Sequence, residues 1–406
     1  MSKQNPSSPL RLVRSSDEGF LPFAQVHQLS AEQQTAVAHR GSPVIITGAT
    51  GTGKTTVVIE AALSRIAAGQ SPDSILIIAY GRERASEIRD AIVTQSAKTA
   101  HEPLARTFHS LAYSILKMRT AENVREIILL SGAEQETFIA QLLAGDIEDG
   151  YQQWHADLQR TEQSLGEPLQ TQGFVRELRD LIMRANERAL TPQKLAERGR
   201  QLGEKNWPAA ADFWQRYLGA MVLQEISAGD SKMRIDPSEI INSANNYLDH
   251  NPELLAEVRK RFSTIIIDEF QESDPAQRNL LDLIAPNDLV IVADPASAVG
   301  RFRGADPEGV PAALDRYREI GGREITLTEN FRGAPNSQAA LFASESEEAQ
   351  YIAYQFKRAH LMQGVPYSQM AVIVRSHGQT ASAIRRAFAQ VSIPTAGDVE
   401  ALATEP

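Results

Sequence analysis

At 406 residues, with 42% hydrophobic and 23% charged side chains, the chain has an ordinary globular composition and the length for two or three domains, each with its own core. It contains no cysteine, which excludes disulfides, cysteine-ligated zinc and iron–sulfur clusters and fits a reducing, cytoplasmic location. A net charge of −10 excludes bulk electrostatic attraction to nucleic acid, so any DNA contact has to come from a local groove.

Residues 1–24 mix Ser, Pro and charges, lack the apolar segment of a secretory signal, and read as a disordered lead-in. No apolar run in the chain approaches the roughly 18 residues of a membrane span. Ser30 is placed to cap a short helix carrying Glu32 in its first turn. Gln33 lies on that helix just before the first strand, where a glutamine can accept from N6 and donate to N7 of an adenine. The β-branched run Val44-Ile45-Ile46 predicts a buried parallel strand. Gly48, Ala49, Thr50, Gly51, Thr52, Gly53, Lys54 and Thr55 follow with G-x-x-x-x-G-K-T spacing, and Thr56 opens an amphipathic helix over 57–66. In such a loop the glycines let backbone N–H groups converge on phosphate oxygens, and the helix N-terminus adds positive charge. Lys54 can reach the β- and γ-phosphates, and the Thr55 hydroxyl can ligate Mg²⁺. Strand, glycine loop and helix together predict a nucleoside triphosphate site.

A second buried strand is expected over 74–80 and a helix over 82–93, and another unit ends near Thr107-Phe108-His109-Ser110. This alternation predicts an α/β fold, a P-loop parallel sheet with helices on both faces. Between 119 and 235 strand signals vanish and Gln-rich helical runs appear, at 133–143, 174–185 and 208–226. The expectation is an all-helical inserted subdomain, with Trp154, Trp207, Phe213 and Trp214 in its core. Strands are then expected within 261–271, at 288–294 and at 323–327. A helix over 345–363, a strand over 370–375 and a helix over 379–390 read as the start of a second α/β domain. The boundaries expected are 25–118 and 236–330 for the two parts of the first domain, 119–235 for the insertion and 331–406 for the second.

Nucleotide hydrolysis needs a carboxylate for Mg²⁺ and a base for the attacking water. Asp268 and Glu269 end a β-branched strand and fit these roles, the alternative being a solvated acidic edge. Gln271 is placed to sense the γ-phosphate. Arg332, after the 323–327 strand, is a candidate for neutralising transition-state charge, against the alternative of a solvated arginine.

The ordered set LSAEQQTAV, GATGTGKT, AYGRERASEIR, TFHSLAY, IIIDEFQES, ADPASAVGRFRGAD and LTENFRGAP resembles the superfamily 1 DNA helicases of UvrD, PcrA and Rep type, over residues 29–394. The divergent third block also resembles the AdnA-type subunits of helicase–nuclease complexes, which implies a second helicase–nuclease subunit as partner. The resemblance implies a RecA-like first domain interrupted by the helical insertion, with the opening of a second RecA-like domain after it. It further implies ATP with Mg²⁺ as cofactor, an adenine contact from Gln33, stacking by Phe331, and single-stranded DNA contacts at Tyr80, Thr107, Phe108, His109, Phe302 and Arg303. Aromatic faces suit that task because every base presents a π-face. The family's third-block Asp-Gln-Ser is replaced by Ala296-Ser297-Ala298, an expected aromatic is Gly300, and an arginine after G-K-T is Thr56. ATP binding with weakly coupled hydrolysis is therefore expected. Family members continue past the equivalent of residue 406, so a truncated product or a fragment is expected. The leading reading is an ATP-dependent helicase or translocase moving 3′ to 5′ on single-stranded DNA in repair or recombination. The alternative is a vestigial motor serving as an ATP- and DNA-binding structural subunit. A metabolic P-loop kinase or GTPase, the third reading, would carry a substrate lid in place of the aromatic blocks.

Overall fold

The computed structural model describes residues 28–96, 104–123, 126–149, 154, 168–228, 232–332, 339–374 and 377–395. The lead-in expected over 1–24 lies outside the described residues. Two compact units divide the chain at Gly333 and Ala334. Phe331 and Arg332, expected to open the second domain, thus fall in the first unit.

The first unit is built on six parallel strands: β1 (Val44–Gly48), β2 (Ile75–Ile78), β3 (Ala105–Arg106), and then, after the insertion, β6 (Thr264–Ile267), β7 (Asp288–Ala293) and β8 (Arg323–Leu327). Their spatial order is β3-β2-β6-β7-β1-β8, and every pairing is parallel. Alternate side chains of one strand serve opposite faces. Val44, Ile46, Ile75, Ile77, Ile266, Val290 and Val292 enter one core, while Ile45, Leu76, Ile78, Ile265, Ile267 and Ile291 enter the other. Both faces are covered, which is why the strands read as unbroken apolar runs. Helices α1 (Ala31–Ala38), α2 (Lys54–Ala67) and α3 (Arg82–Gln95) contribute to the first core. The second core takes Phe108, Leu111 and Ile115 of α4 (Phe108–Asn123).

The inserted segment carries α5 (Gly132–Glu148), α6 (Gln172–Glu187), α7 (Pro192–Leu202) and α8 (Trp207–Ala228). Their shared core holds Trp154, Phe213 and Trp214, with Trp207 packed against it. The expectation of an all-helical insertion needs correction. Strands β4 (Glu126–Leu129) and β5 (Lys232–Ile235) pair in parallel at its two ends. Each is four residues long and its partner lies across the whole insertion, so neither segment carries a local signal. Ile127 and Ile235 send their side chains into the main sheet's core, which fastens the insertion at both of its roots.

Helix α9 (Ile240–His250), α10 (Pro252–Arg261), α11 (Pro275–Ile284) and α12 (Val310–Glu319) complete the first unit. In the second unit, α13 (Glu345–Gln363) and α14 (His377–Gln390) pack through Ala349, Ala353, Ile384, Ala387 and Phe388. The strand expected over 370–375 is absent from 370–374, and Arg375 lies outside the described residues. Val372 and Val374 pack on the helix pair instead; among the described residues of this unit no neighbouring strand offers them a ladder.

One polar interaction ties α2 to the sheet. Arg65, 1% exposed, donates from Nε and Nη2 to the two oxygens of Asp288 at 2.8 and 2.6 Å, and from Nη1 to the Ala61 carbonyl. Thr264 donates to the same carboxylate across the β6–β7 pair. Although burial pushes the Asp288 carboxyl up, the bonds from Arg65 and Thr264 outweigh it and hold it below its usual value. Removing one partner of a buried pair strands the other charge, at a cost of roughly 3–5 kcal/mol. Arg65→Ala is expected to lower the urea midpoint accordingly, and an unchanged midpoint would show that the pair contributes little.

Candidate functional site

Because β1, β6, β7 and β8 run in one direction, their C-terminal ends open on the same edge, where ligands of parallel α/β sheets are bound. The loop Gly48–Gly53 lies there and turns directly into α2. Gly51 and Gly53 have φ of +93° and +78°, a region that disfavours L side chains. Side-chain ends also crowd both positions: a Cβ on Gly51 would meet Asn330 Oδ1, and one on Gly53 would meet Gln33 Nε2.

Both neighbours grip the loop. Gln33 is buried; its Oε1 accepts from the Ser30 amide in a capping box, and its Nε2 donates to the Thr52 carbonyl at 3.0 Å. The Phe331 amide donates to Gly51 O at 2.9 Å, and Asn330 Nδ2 to Thr50 O at 3.1 Å. Asn330 Oδ1 accepts from the Arg332 amide. Phe331 stands partly exposed beside Gly53, and the Arg332 side chain is exposed. Gln33, Phe331 and Arg332 are therefore gathered at the loop as expected, although the Gln33 amide already serves the loop backbone. Ala49 O accepts from Thr52, and Thr56 is half-buried on the first turn of α2.

Beneath the loop lies a set of charges. Lys54 Nζ donates to the carbonyls of Gly48 and Ala49 at 2.8 and 3.1 Å and pairs with Asp294 at 3.2 Å. Thr55 Oγ1 donates to Asp268 Oδ2 at 3.1 Å, while Asp268 Oδ1 accepts from the Glu269 amide. Arg84 of α3 donates to the Thr55 hydroxyl at 2.7 Å, and its Nε lies 3.6 Å from Asp268 Oδ2. Asp268 is wholly buried. Burial first, and then the neighbouring Glu269 carboxylate, push its carboxyl up to about 6 against the pull of Arg84 and Thr55.

Glu269 adopts φ +52°, an uncommon conformation for a residue with a Cβ and one that collects at functional sites. Its carboxylate accepts from Gln271 Nε2. Gln271 is fully buried and also accepts from the Asp294 amide at 2.8 Å, with Ser297 Oγ 3.3 Å from its Nε2. One amide thereby joins the ends of β6 and β7. Two members of the site escaped the sequence reading, Asp294 and Arg84. The first had a signal, since it ends β7 as Asp268 ends β6; the second, one of several arginines on α3, had none.

Glu272 extends the assembly. Its two oxygens accept from the amides of Val299 and Gly300 at 2.8 and 2.7 Å. A Cβ on Gly300 would press on that carboxylate as it now lies. Phe302, next on this loop, is 69% exposed; the Arg303 side chain lies outside the described residues. Tyr80 is half-buried, donates to Gln277 at 2.9 Å and meets Phe108 edge-on. Phe108 is 3% exposed within the core, so its face is not available for stacking on a base, and this expectation is corrected. TFHSLAY is amphipathic: Phe108, Leu111 and Ala112 are buried, His109 is exposed, and Thr107 accepts from the Ser110 amide.

Residues 29–318 match the sequence model of the family described as UvrD/REP helicase N-terminal domain. The chain is 23% identical over 410 residues to the ATP-dependent DNA helicase PcrA of Staphylococcus epidermidis, covering 91% of the chain and 51% of that protein. It is 24% identical over 324 residues to the ATP-dependent DNA helicase UvrD1 of Mycobacterium tuberculosis, covering 77% and 38%. With DNA helicase II of Escherichia coli it shares 23% identity over 316 residues, covering 77% and 39%. The chain spans about half the length of the PcrA relative and about two fifths of the other two.

A carboxylate buried in such surroundings costs stability. Its folded value of about 6 lies above that of an unfolded carboxyl, so the folded state takes up the proton first. The cost is then absent below about pH 4 and complete above about pH 6. Asp268→Asn is expected to be more stable than the parent by about 1–3 kcal/mol at pH 8, with the gain shrinking as pH falls towards 4. Denaturant titrations at both pH values measure it, and a difference independent of pH would contradict the assignment.

Proposed function

The chain belongs to the UvrD/REP helicase N-terminal domain family, and from that premise we propose that it binds ATP at the Gly48–Thr55 loop, hydrolyses it and uses the turnover to move along single-stranded DNA. The observation that carries this reading is the buried chain of contacts from Lys54 through Asp294 and Gln271 to Glu269. It links the phosphate-facing lysine to the acid suited to activating water.

Thr55 and Asp268 fit a magnesium ion. They supply hard oxygen donors 3.1 Å apart beneath a phosphate loop, and Mg²⁺ is ordinarily held by one or two protein oxygens together with phosphate and water. No cluster of three or more His, Asp or Glu side chains suited to a metal occurs among the described residues, in keeping with that sparse coordination. When bound, the ion would neutralise charge on the β- and γ-phosphates. The rest falls to the chain's own groups. The loop amides and Lys54 hold the triphosphate, and Lys54 exchanges Asp294 for phosphate oxygens. Glu269, aimed by its left-handed backbone and steadied by Gln271, takes a proton from the attacking water. Arg332, exposed above the loop, neutralises charge on the transferring group, while Gln33 and Phe331 flank the base.

Gln271 and Glu272 offer a route from hydrolysis to DNA. Gln271 touches Glu269 and Ser297, and Glu272 holds the amides that precede Phe302. A shift of Glu269 on loss of the γ-phosphate would thereby reach an exposed aromatic suited to stacking on bases. Tyr80, Thr107 and His109, with Arg303, complete the proposed track. On this reading movement is 3′ to 5′ and the setting is repair or recombination.

A second reading is favoured by Ala296 and Ala298. Neither offers a polar side chain to the phosphates, leaving Ser297 as the polar group of that turn to reach Gln271. On this reading the chain binds ATP and DNA within a larger helicase–nuclease complex and hydrolyses little.

Turnover of ATP with and without single-stranded DNA separates the two. Stimulation by DNA, with a fall of at least about 100-fold in Glu269→Gln while nucleotide binding persists, supports the motor. Binding without turnover in the parent chain supports the structural subunit. Phe302→Ala is expected to weaken single-strand affinity about 10-fold, within the 1–3 kcal/mol of one stacked base, and to leave nucleotide affinity alone. An unchanged DNA affinity would remove Phe302 from the track.

A further inference from the structure

We propose that Arg84 is a resident cation of the nucleotide site that competes with Mg²⁺ for the Thr55 hydroxyl and makes nucleotide binding largely independent of the metal. The inference rests on the reading of the loop as an ATP site.

The Thr55 hydroxyl can be followed atom by atom. Its proton goes to Asp268 Oδ2, 3.1 Å away, and a lone pair accepts from Arg84 Nη2 at 2.7 Å. A hydroxyl that donates to a carboxylate has only its lone pairs to give a cation, so a guanidinium and a magnesium ion compete for one oxygen and the space around it. The carboxylate is shared too, because Arg84 Nε lies 3.6 Å from the oxygen that Thr55 addresses. Arg84 thus faces both protein oxygens that fit the metal, and it carries a permanent positive charge.

The side chain is also built to move. Arg84 sits in the first turn of α3 and is 30% exposed. Its Nη1 bonds Glu87, one turn along the same helix, at 3.0 Å. Glu87 holds the far side of the fork while the near side reaches the site. When a triphosphate enters, the guanidinium can stay on Thr55 and meet phosphate oxygen directly, since its planar fork suits phosphate. Where metal displaces it, Glu87 provides the position to which it withdraws. Either way, the charge that Mg²⁺ brings to the phosphates is partly present already. The absence of an arginine at Thr56 agrees with this: the guanidinium at the first turn of α2 comes from α3 instead.

The test is equilibrium binding of a fluorescent ADP analogue to the full chain in 5 mM Mg²⁺ and in excess EDTA, for the parent, Arg84→Ala, Arg84→Lys and Lys54→Ala. The parent is expected to lose less than about 3-fold in affinity on removal of Mg²⁺. Arg84→Ala is expected to lose at least about 10-fold, the size of one charge-assisted hydrogen bond. Arg84→Lys should fall between them, because it keeps the charge without the fork. An equal response to Mg²⁺ in the parent and in Arg84→Ala overturns the role of Arg84, as does a parent that needs Mg²⁺ by more than about 10-fold. A parent that binds no nucleotide in either buffer, or a Lys54→Ala variant that binds as well as the parent, overturns the ATP reading itself. Thermal melting of each variant shows that the comparison is made on folded protein.

Discussion

The constraint on which the rest of this structure depends is that β1, β6, β7 and β8 all run the same way. Parallel strands end together. One edge of the sheet therefore receives the glycine loop from β1, the Asp268–Glu272 turn from β6, Asp294 from β7 and the 328–332 segment from β8. These four pieces are far apart in the chain, and none of them carries a complete chemical group alone. Their convergence turns a glycine turn, two acidic turns and an exposed arginine into one site. Thr47 and Thr326 share a hydrogen bond across β1 and β8 near that edge, while at the opposite end of the sheet the Arg65–Asp288 pair holds α2 against the start of β7.

Within that frame the polar groups are arranged by burial. Asp268 and Gln271 are fully enclosed, and their hydrogen bonds are made inside the protein. A buried amide that is fully partnered tolerates little displacement, because each broken bond leaves an unsatisfied group. This makes Gln271 a natural coupling point between the acid at the end of β6 and the turn after β7. Glu272 adds the next link outward to the loop of Phe302. On the proposed function, a shift of Glu269 would pass to Gln271 through their hydrogen bond and, one residue on, to the amides held by Glu272. At the local departures from the helicase pattern, the Glu272 carboxylate lies against Gly300, and Ser297, between Ala296 and Ala298, makes the contact with Gln271.

Much of this was legible before any coordinates. The G-x-x-x-x-G-K-T loop, the strands at its flanks and the acidic pair of DEFQES depend on nearest neighbours in sequence, and each appears as expected. The helical insertion was legible too, because its amphipathic periodicity is local. Its two-stranded root was not, since β4 and β5 are four residues each and find each other across the whole insertion. Phe108 shows a second kind of miss. Family likeness gave an aromatic in TFHSLAY a DNA-facing role, whereas the helix it begins turns that ring into the core beneath Tyr80. Arg84 shows a third: several arginines line α3, and only the packing of α3 beside α2 decides which one meets Thr55.

The sequence by itself determined the fold class, the glycine loop, the acidic pair at the end of β6 and the kinship with UvrD/REP helicases, because these reside in short runs whose spacing dictates strand, turn and helix. The tertiary structure alone decided that Gln33 and Asn330 close on the loop glycines, that Asp294 holds Lys54, that Gln271 bridges two strand ends, and that a guanidinium stands beside Thr55 and Asp268. Each of these is a contact between residues remote in the chain. The direction and register of the parallel strands set such contacts, and a one-dimensional pattern does not encode distances across a sheet.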